Sequence, residues 1–182
     1  DGALASYDQK TKNSFLLLMP EETHDQGFAM TVSFTAMMLS TLWIFAPNPA
    51  MLEKATAMSK QVLSVKNINK AKELSRNGFE RIVFLGAGNL RGIAREACLK
   101  MLELTAELKR DQITNHIIEL SDIVNLGEAD IEDIWLSFPY IIFCQMLAFE
   151  KSLAVGVTPD NPSPTGEANR VVQGVTIYPL KG

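Results

Sequence analysis

Residues 81–106 constrain this chain more than any other stretch. They read RIVFLGAGNLRGIAREACLKMLELTA. Arg81 to Leu85 is a short run of β-branched and aromatic residues, which suits a strand. Gly86-Ala87-Gly88 makes a tight turn. Leu90 to Ala106 predicts a helix, because Ile93, Ala97, Leu99, Met101, Leu102 and Leu104 partly repeat at helical spacing. A strand that turns at once into a helix is the building unit of α/β folds. The rest of the chain continues the alternation. Ser14 to Met19 (SFLLLM) predicts a buried strand closed by Pro20, Phe28 to Phe45 a helix, and Met51 to Ser75 one or two amphipathic helices after the Asn48-Pro49 breaker. Glu107 to Gln112 reads as charged helix and Ile113 to Leu120 as strand. Trp135 to Val155 is a long apolar helix with Pro139 in its first turns, and Val171 to Tyr178 is a last strand. The expected fold class is α/β with a mainly parallel sheet.

Composition narrows the function classes. The chain has 182 residues, 47% hydrophobic and 21% charged, which is a folding and not a disordered balance. Seventeen basic residues against twenty-one acidic ones leave a net charge of −4. That argues against nucleic acid or an anionic membrane as partner, since both need a basic surface. Two cysteines, Cys98 and Cys144, cannot build a disulfide framework or a cysteine-rich metal site, so a reducing cytoplasm is the simplest compartment. The first ten residues, DGALASYDQK, hold neither a basic n-region nor an apolar h-region. Phe28 to Pro47 is long enough to span a membrane, but its hydroxyls and methionines favour a buried core helix. The chain opens on Asp1 rather than Met, and we expect it to be incomplete.

Two constellations carry chemistry. The turn Gly86-Ala87-Gly88-Asn89-Leu90-Arg91-Gly92 is placed to hold a phosphate on backbone N–H groups at a helix start. Its spacing is GxGxxxG, not the dinucleotide GxGxxG, and a plain strand-to-helix turn without ligand explains it equally well. Glu96, Lys100 and Glu103 follow at i, i+4 and i+7 and share one helix face. An exposed Glu–Lys surface pair is the commoner meaning of that spacing. The apolar surroundings and the preceding turn favour a pocket in which a carboxylate beside a lysine transfers protons. His24 and His116 lack metal-ligand spacing, so no metal is expected. Cys98 and Cys144 lie in apolar helices and read as inert thiols. The polar, turn-rich loop 158–169 reads as a lid, a subunit contact or a connector.

Three segments, ETHDQGFAMT (22–31), residues 81–106, and TPDNPSPTGEANRVVQGVTIYP (158–179), resemble the sugar isomerase (SIS) domain family. The similarity is to the subgroup of tagatose-6-phosphate ketose/aldose isomerases, also described as galactosamine-6-phosphate deaminase/isomerases. It covers essentially the whole chain, and its third segment is the most specific to the subgroup. GFAMTVSFT (27–35) and the Glu96–Lys100–Glu103 pattern extend it to the isomerase half of glucosamine-6-phosphate synthase. The resemblance implies a parallel-sheet, flavodoxin-like three-layer fold built from two SIS halves, incomplete over these 182 residues. Residues 1–47 would end a first half, 48–78 would be connecting helices, and 79–182 would be the second half.

The resemblance also implies roles. Glu103 maps onto the enolisation base, with Glu96 and Lys100 as its neighbours. Phe28, Ala29, Met30 and Thr31 map onto the substrate-facing loop, and Gly86 and Gly88 onto the phosphosugar side of the helix start. Gln173 falls where the synthase has a substrate-contacting lysine, so that lysine's role has no carrier here. Proton transfer between C1 and C2 passes through an enediol or enolamine and needs no cofactor. With an amine at C2, hydrolysis of the imine would then release ammonia. Lys100 would balance the developing charge.

The chain departs from the family in two respects. The serine- and threonine-rich phosphate turns of the first half are absent. After LELTA (102–106) the family continues through a strand and a histidine-containing loop, whereas here Glu107 to Asp111 follow directly. We therefore expect a discontinuity at 106/107 and another near 122/123. The function expected is a phosphosugar isomerase or deaminase acting on a hexose or hexosamine 6-phosphate, cytoplasmic and homodimeric or larger. A non-catalytic phosphosugar-sensing module is the alternative. A nucleotide-dependent oxidoreductase is weaker, since no acidic ribose partner follows the glycine turn.

Overall fold

The computed structural model describes residues 3–8, 12–79, 82–104, 118–125 and 130–163. Six helices organise them: α1 (Ala3–Asp8), α2 (Val32–Phe45), α3 (Pro49–Val62), α4 (Val65–Arg76), α5 (Arg91–Leu104) and α6 (Asp133–Ala154). The predicted helix over 51–75 is two, α3 and α4, broken at Leu63-Ser64. Asn48 starts α3 by accepting from the Met51 N–H at 3.2 Å, and Pro49 sits at its first position, where a missing N–H costs nothing.

The long apolar helix α6 is the hub, packing against α3, α4 and α5. Trp135 and Phe138 from its first half meet Ala55 of α3, and Met38, Leu39 and Leu42 of α2 lean on this group. Phe143 joins Met58 and Val62 of α3 with Leu120, Ile123 and Val124. Near its C-terminal end, Leu147 and Ala148 pack with Ala71 of α4, Met101 of α5 and Ala29. Lys151 in the last turn is buried, and its ammonium donates to the Ser75 and Asn77 carbonyls at 2.9 and 3.2 Å, over the face of Phe79. It thereby satisfies carbonyls that the end of α4 leaves without helical partners.

The strands expected at 14–19 and 81–85 are not formed: among the described residues no sheet strand is present, and the one β-type pairing is the isolated bridge Thr158–Asn161. A strand exists only by pairing its N–H and C=O groups across a ladder, and no such partner for these segments is among the described residues. The side chains of 82–85 nevertheless alternate as in a strand. Ile82 and Phe84 pack on the Ala29–Met101 cluster, while Val83 and Leu85 are 74% and 90% exposed. In 14–19 the expected burial is also missing, with Phe15 86% and Leu18 79% exposed. Within 113–120, Leu120 is buried but opens a short 3-10 turn instead of ending a strand. The strand expected at 171–178 and the junction 106/107 lie outside the described residues; Asp122-Ile123 falls at the end of the 120–122 turn. No helix among the described residues is long and apolar enough to cross a membrane.

Candidate functional site

The glycines of the 86–92 turn are not equivalent. A Cβ on Gly86 would lie 2.4 Å from the Leu90 carbonyl oxygen and 2.8 Å from its carbon, so the chain folds back on itself with room only for hydrogen. Gly88 has φ +50°, the left-handed region. Gly92 has open space at its Cβ position. The Leu90 N–H donates to the Ala87 carbonyl and the Arg91 N–H to that of Gly88. Gly86 and Gly88 are thus required by the shape of the turn, which brings Arg91 directly into α5.

On α5, the Lys100 ammonium lies 3.2 Å from the Glu96 carboxylate. Lys100 is 2% exposed and Glu96 15%, so this is not the solvated pair that i,i+4 spacing commonly means. A buried ammonium without its carboxylate would carry a heavy desolvation cost, so the two side chains fix each other. Glu103 lies in the last turn of the same helix; its side chain is outside the described residues.

The loop before α2 meets this helix. Ala29 is buried against Met101, the residue after Lys100. Phe28 is half-buried, Met30 is 43% exposed, and Thr31 stands at the start of α2. Thr31 is held by Asp25, six residues upstream. The Asp25 carboxylate accepts from the Thr31 N–H at 2.9 Å, the Thr31 hydroxyl at 2.7 Å, the Val32 N–H at 3.0 Å, the Ser33 N–H at 2.9 Å and the Ser33 hydroxyl. Burial alone would raise its pKa. The hydroxyls of Ser33 and Thr31 and the N–H groups of Ser33 and Val32 outweigh that and hold it well below the ordinary carboxylate range. These bonds also explain why α2 begins at Val32 and not at Phe28: the first free N–H groups of the helix are claimed by a side chain six to eight residues upstream. The sequence signal was faint, an aspartate ahead of a Thr-x-Ser at a helix start.

The structure therefore places Ala29 of the predicted substrate loop in one apolar cluster with Met101, the residue after Lys100. It leads the Gly86 turn into the same helix, and Ile82 and Phe84 lean on the shared cluster. Gln173 lies outside the described residues. A second loop touches the first: the Asp160 carboxylate is 3.1 Å from where a Gly27 Cβ would stand, in the turn closed by the Thr158–Asn161 bridge. Cys144 is partly buried, its thiol pushed up to about 12, chiefly by burial and also by Cys98. Among the described residues no group of three His, Cys, Asp or Glu side chains is placed to hold a metal ion.

No protein-family model matches the chain. Individual proteins do. The D-galactosamine-6-phosphate deaminase AgaS of Shewanella sp. (strain ANA-3) is 37% identical over 225 aligned positions, covering 98% of this chain and 58% of that protein. The Escherichia coli D-galactosamine-6-phosphate deaminase AgaS is 34% identical, covering 98% and 62%. A crystal structure from Clostridium novyi NT, provisionally named a tagatose-6-phosphate ketose/aldose isomerase, superposes with TM-score 0.81 at 33% identity, over 98% of this chain and 62% of that one. The chain spans about three fifths of the length of these relatives. In sequence and in backbone the chain is thus similar, over 98% of its length, to proteins that carry the galactosamine-6-phosphate deaminase and tagatose-6-phosphate ketose/aldose isomerase names.

Proposed function

We propose that this chain carries catalytic machinery of a hexose or hexosamine 6-phosphate isomerase or deaminase, of the tagatose 6-phosphate and galactosamine 6-phosphate type. The observation that supports it most is the buried Glu96–Lys100 pair on a helix whose next residue, Met101, packs on Ala29 of the 28–31 loop. In this reading the loop and the Gly86–Gly88 turn hold the phosphosugar. Glu103 moves the proton between C1 and C2, and the Lys100 ammonium offsets the negative charge gathering on the enediol or enolamine. Glu96 holds the Lys100 ammonium in place, 3.2 Å away. Where C2 bears an amine, water adds to the imine and ammonia leaves.

The same reading makes 14–19 and 81–85 strands of a parallel sheet whose ladder partners are other segments of the SIS fold. The exposed, alternating side chains at 82–85 support this. So does the alignment with the Shewanella protein, whose 225 positions exceed the 182 residues of this chain by 43, so relatives carry residues in between that this chain lacks. That agrees with a discontinuity such as the one at 106/107. The protein would act in the cytoplasm as a homodimer or larger assembly, which size-exclusion chromatography with light scattering would establish.

The test is turnover by the full-length protein on a panel of hexosamine 6-phosphates, read as ammonia release, and of ketohexose 6-phosphates, read as isomerisation. We expect turnover with the galacto-configured substrates, and Glu103→Gln to lower kcat by about 10²–10⁴-fold, the usual scale of a general base. Binding without turnover in the wild type would instead indicate a phosphosugar-sensing module.

A further inference from the structure

We propose that Asp25 is the positioning residue of the 28–31 loop, setting substrate affinity without touching the substrate. The inference rests on the reading of that loop as substrate-facing. Asp25 is buried, and its two oxygens accept five hydrogen bonds from Thr31, Val32 and Ser33. The segment between the carboxylate and its donors is the loop itself. Asp25 therefore closes a ring around residues 26–30, with one end fixed on the first turn of α2.

The ring has two further anchors. Ala29 is buried in one cluster with Met101 of α5, and the Asp160 carboxylate stands 3.1 Å from the position a Gly27 Cβ would take. Between these points Phe28 and Met30 keep partial exposure and are left to face a ligand. A loop held at its base, middle and shoulder presents one shape, and a preorganised loop binds more tightly because less ordering is left for the moment of binding. The carboxylate is suited to this task by its charge. Ionised Asp offers only acceptors, which matches five donors; an amide would turn a donor toward backbone N–H groups that cannot reverse. Asp25→Asn keeps the size but must leave at least one of the Thr31, Val32 and Ser33 N–H groups without an acceptor.

Because the Glu96–Lys100 pair lies on α5 and not on the ring, loosening the ring should weaken binding and spare the chemical step. The experiment compares full-length wild type, Asp25→Asn and Ser33→Ala with galactosamine 6-phosphate. For Asp25→Asn we expect KM to rise about tenfold or more with kcat within about threefold, the size of losing charged hydrogen bonds at a binding element. For Ser33→Ala, which removes one donor of five, a smaller rise of the same kind is expected. Thermal melting checks folding, and Ser33→Ala decides the matter if Asp25→Asn does not fold. Unchanged KM in the folded variants, or a fall in kcat at constant KM, would overturn the proposal. If the wild type binds galactosamine 6-phosphate without turning it over, the catalytic reading fails. Asp25 is then judged on the dissociation constant measured by calorimetry, where the same tenfold weakening supports it and its absence sinks it. A wild type that neither binds nor converts the sugar overturns both.

Discussion

Asp25 starts a helix from outside it. An N-cap residue normally supplies one oxygen to the N–H two or three positions on, but here Thr31 occupies that place without a side-chain cap, and Asp25 reaches in from the preceding loop. Its folded-state pKa lies below the unfolded value, so its contribution is fully present above the unfolded pKa, near 4, and is lost as pH falls toward the folded pKa. We expect wild-type stability, measured by urea unfolding, to fall between pH 4 and acid. Asp25→Asn should cost about 1–3 kcal/mol at pH 7 and flatten that acid limb, because it leaves a buried N–H unpaired and removes the titrating group. Lys100 teaches a related point. Its spacing to Glu96 was legible, but the same spacing serves solvated and buried pairs alike, and only the 2% exposure decides which this is.

At the scale of elements, α5 and α6 were legible within a few residues, because a long apolar-periodic run between breakers has few alternatives. The start of α2 was not, since propensity says nothing of a distant carboxylate. The strands were legible as hydrophobic runs, but no ladder is present among the described residues, because pairing depends on neighbours and not on the run itself. The Gly86 turn is an element whose requirement can be tested. Gly86→Ala places a methyl group against the Leu90 backbone, which cannot swing away as a side chain can. We expect a loss of about 1–3 kcal/mol in denaturant unfolding, typical of overpacking, whereas Gly92→Ala, with open space, should not destabilise. Equal effects at both positions would contradict the geometry.

Over the described residues, α6 gathers α3, α4 and α5, while α2 only leans on the Trp135–Phe138 cluster through Met38, Leu39 and Leu42. No residue of α2 is buried, although VSFTAMMLSTLWIF is apolar on nearly every side. Met37, Trp43, Ile44 and Phe45 are exposed, as are Phe15 to Leu18 and the outward residues Val83 and Leu85. Surfaces of this kind mark places where further protein packs. We expect the 182-residue chain to bind a hydrophobic fluorescent dye strongly and the full-length protein to bind it weakly, with fluorescence titration as the measurement. Equal, weak binding by both would mean that these faces need no cover.

By itself the sequence determined where the helices of the described residues lie to within a few residues, which glycines make the turn, and, through three motifs, the family resemblance. Those properties are local or depend on residue identity, and periodicity or matching can read them. Only the tertiary structure decided that the 28–31 loop meets α5 through Ala29 and Met101, that Lys100 is buried, and that Asp25 holds the head of α2. These depend on groups distant in the chain becoming neighbours, and burial and hydrogen-bond partners exist only once that has happened.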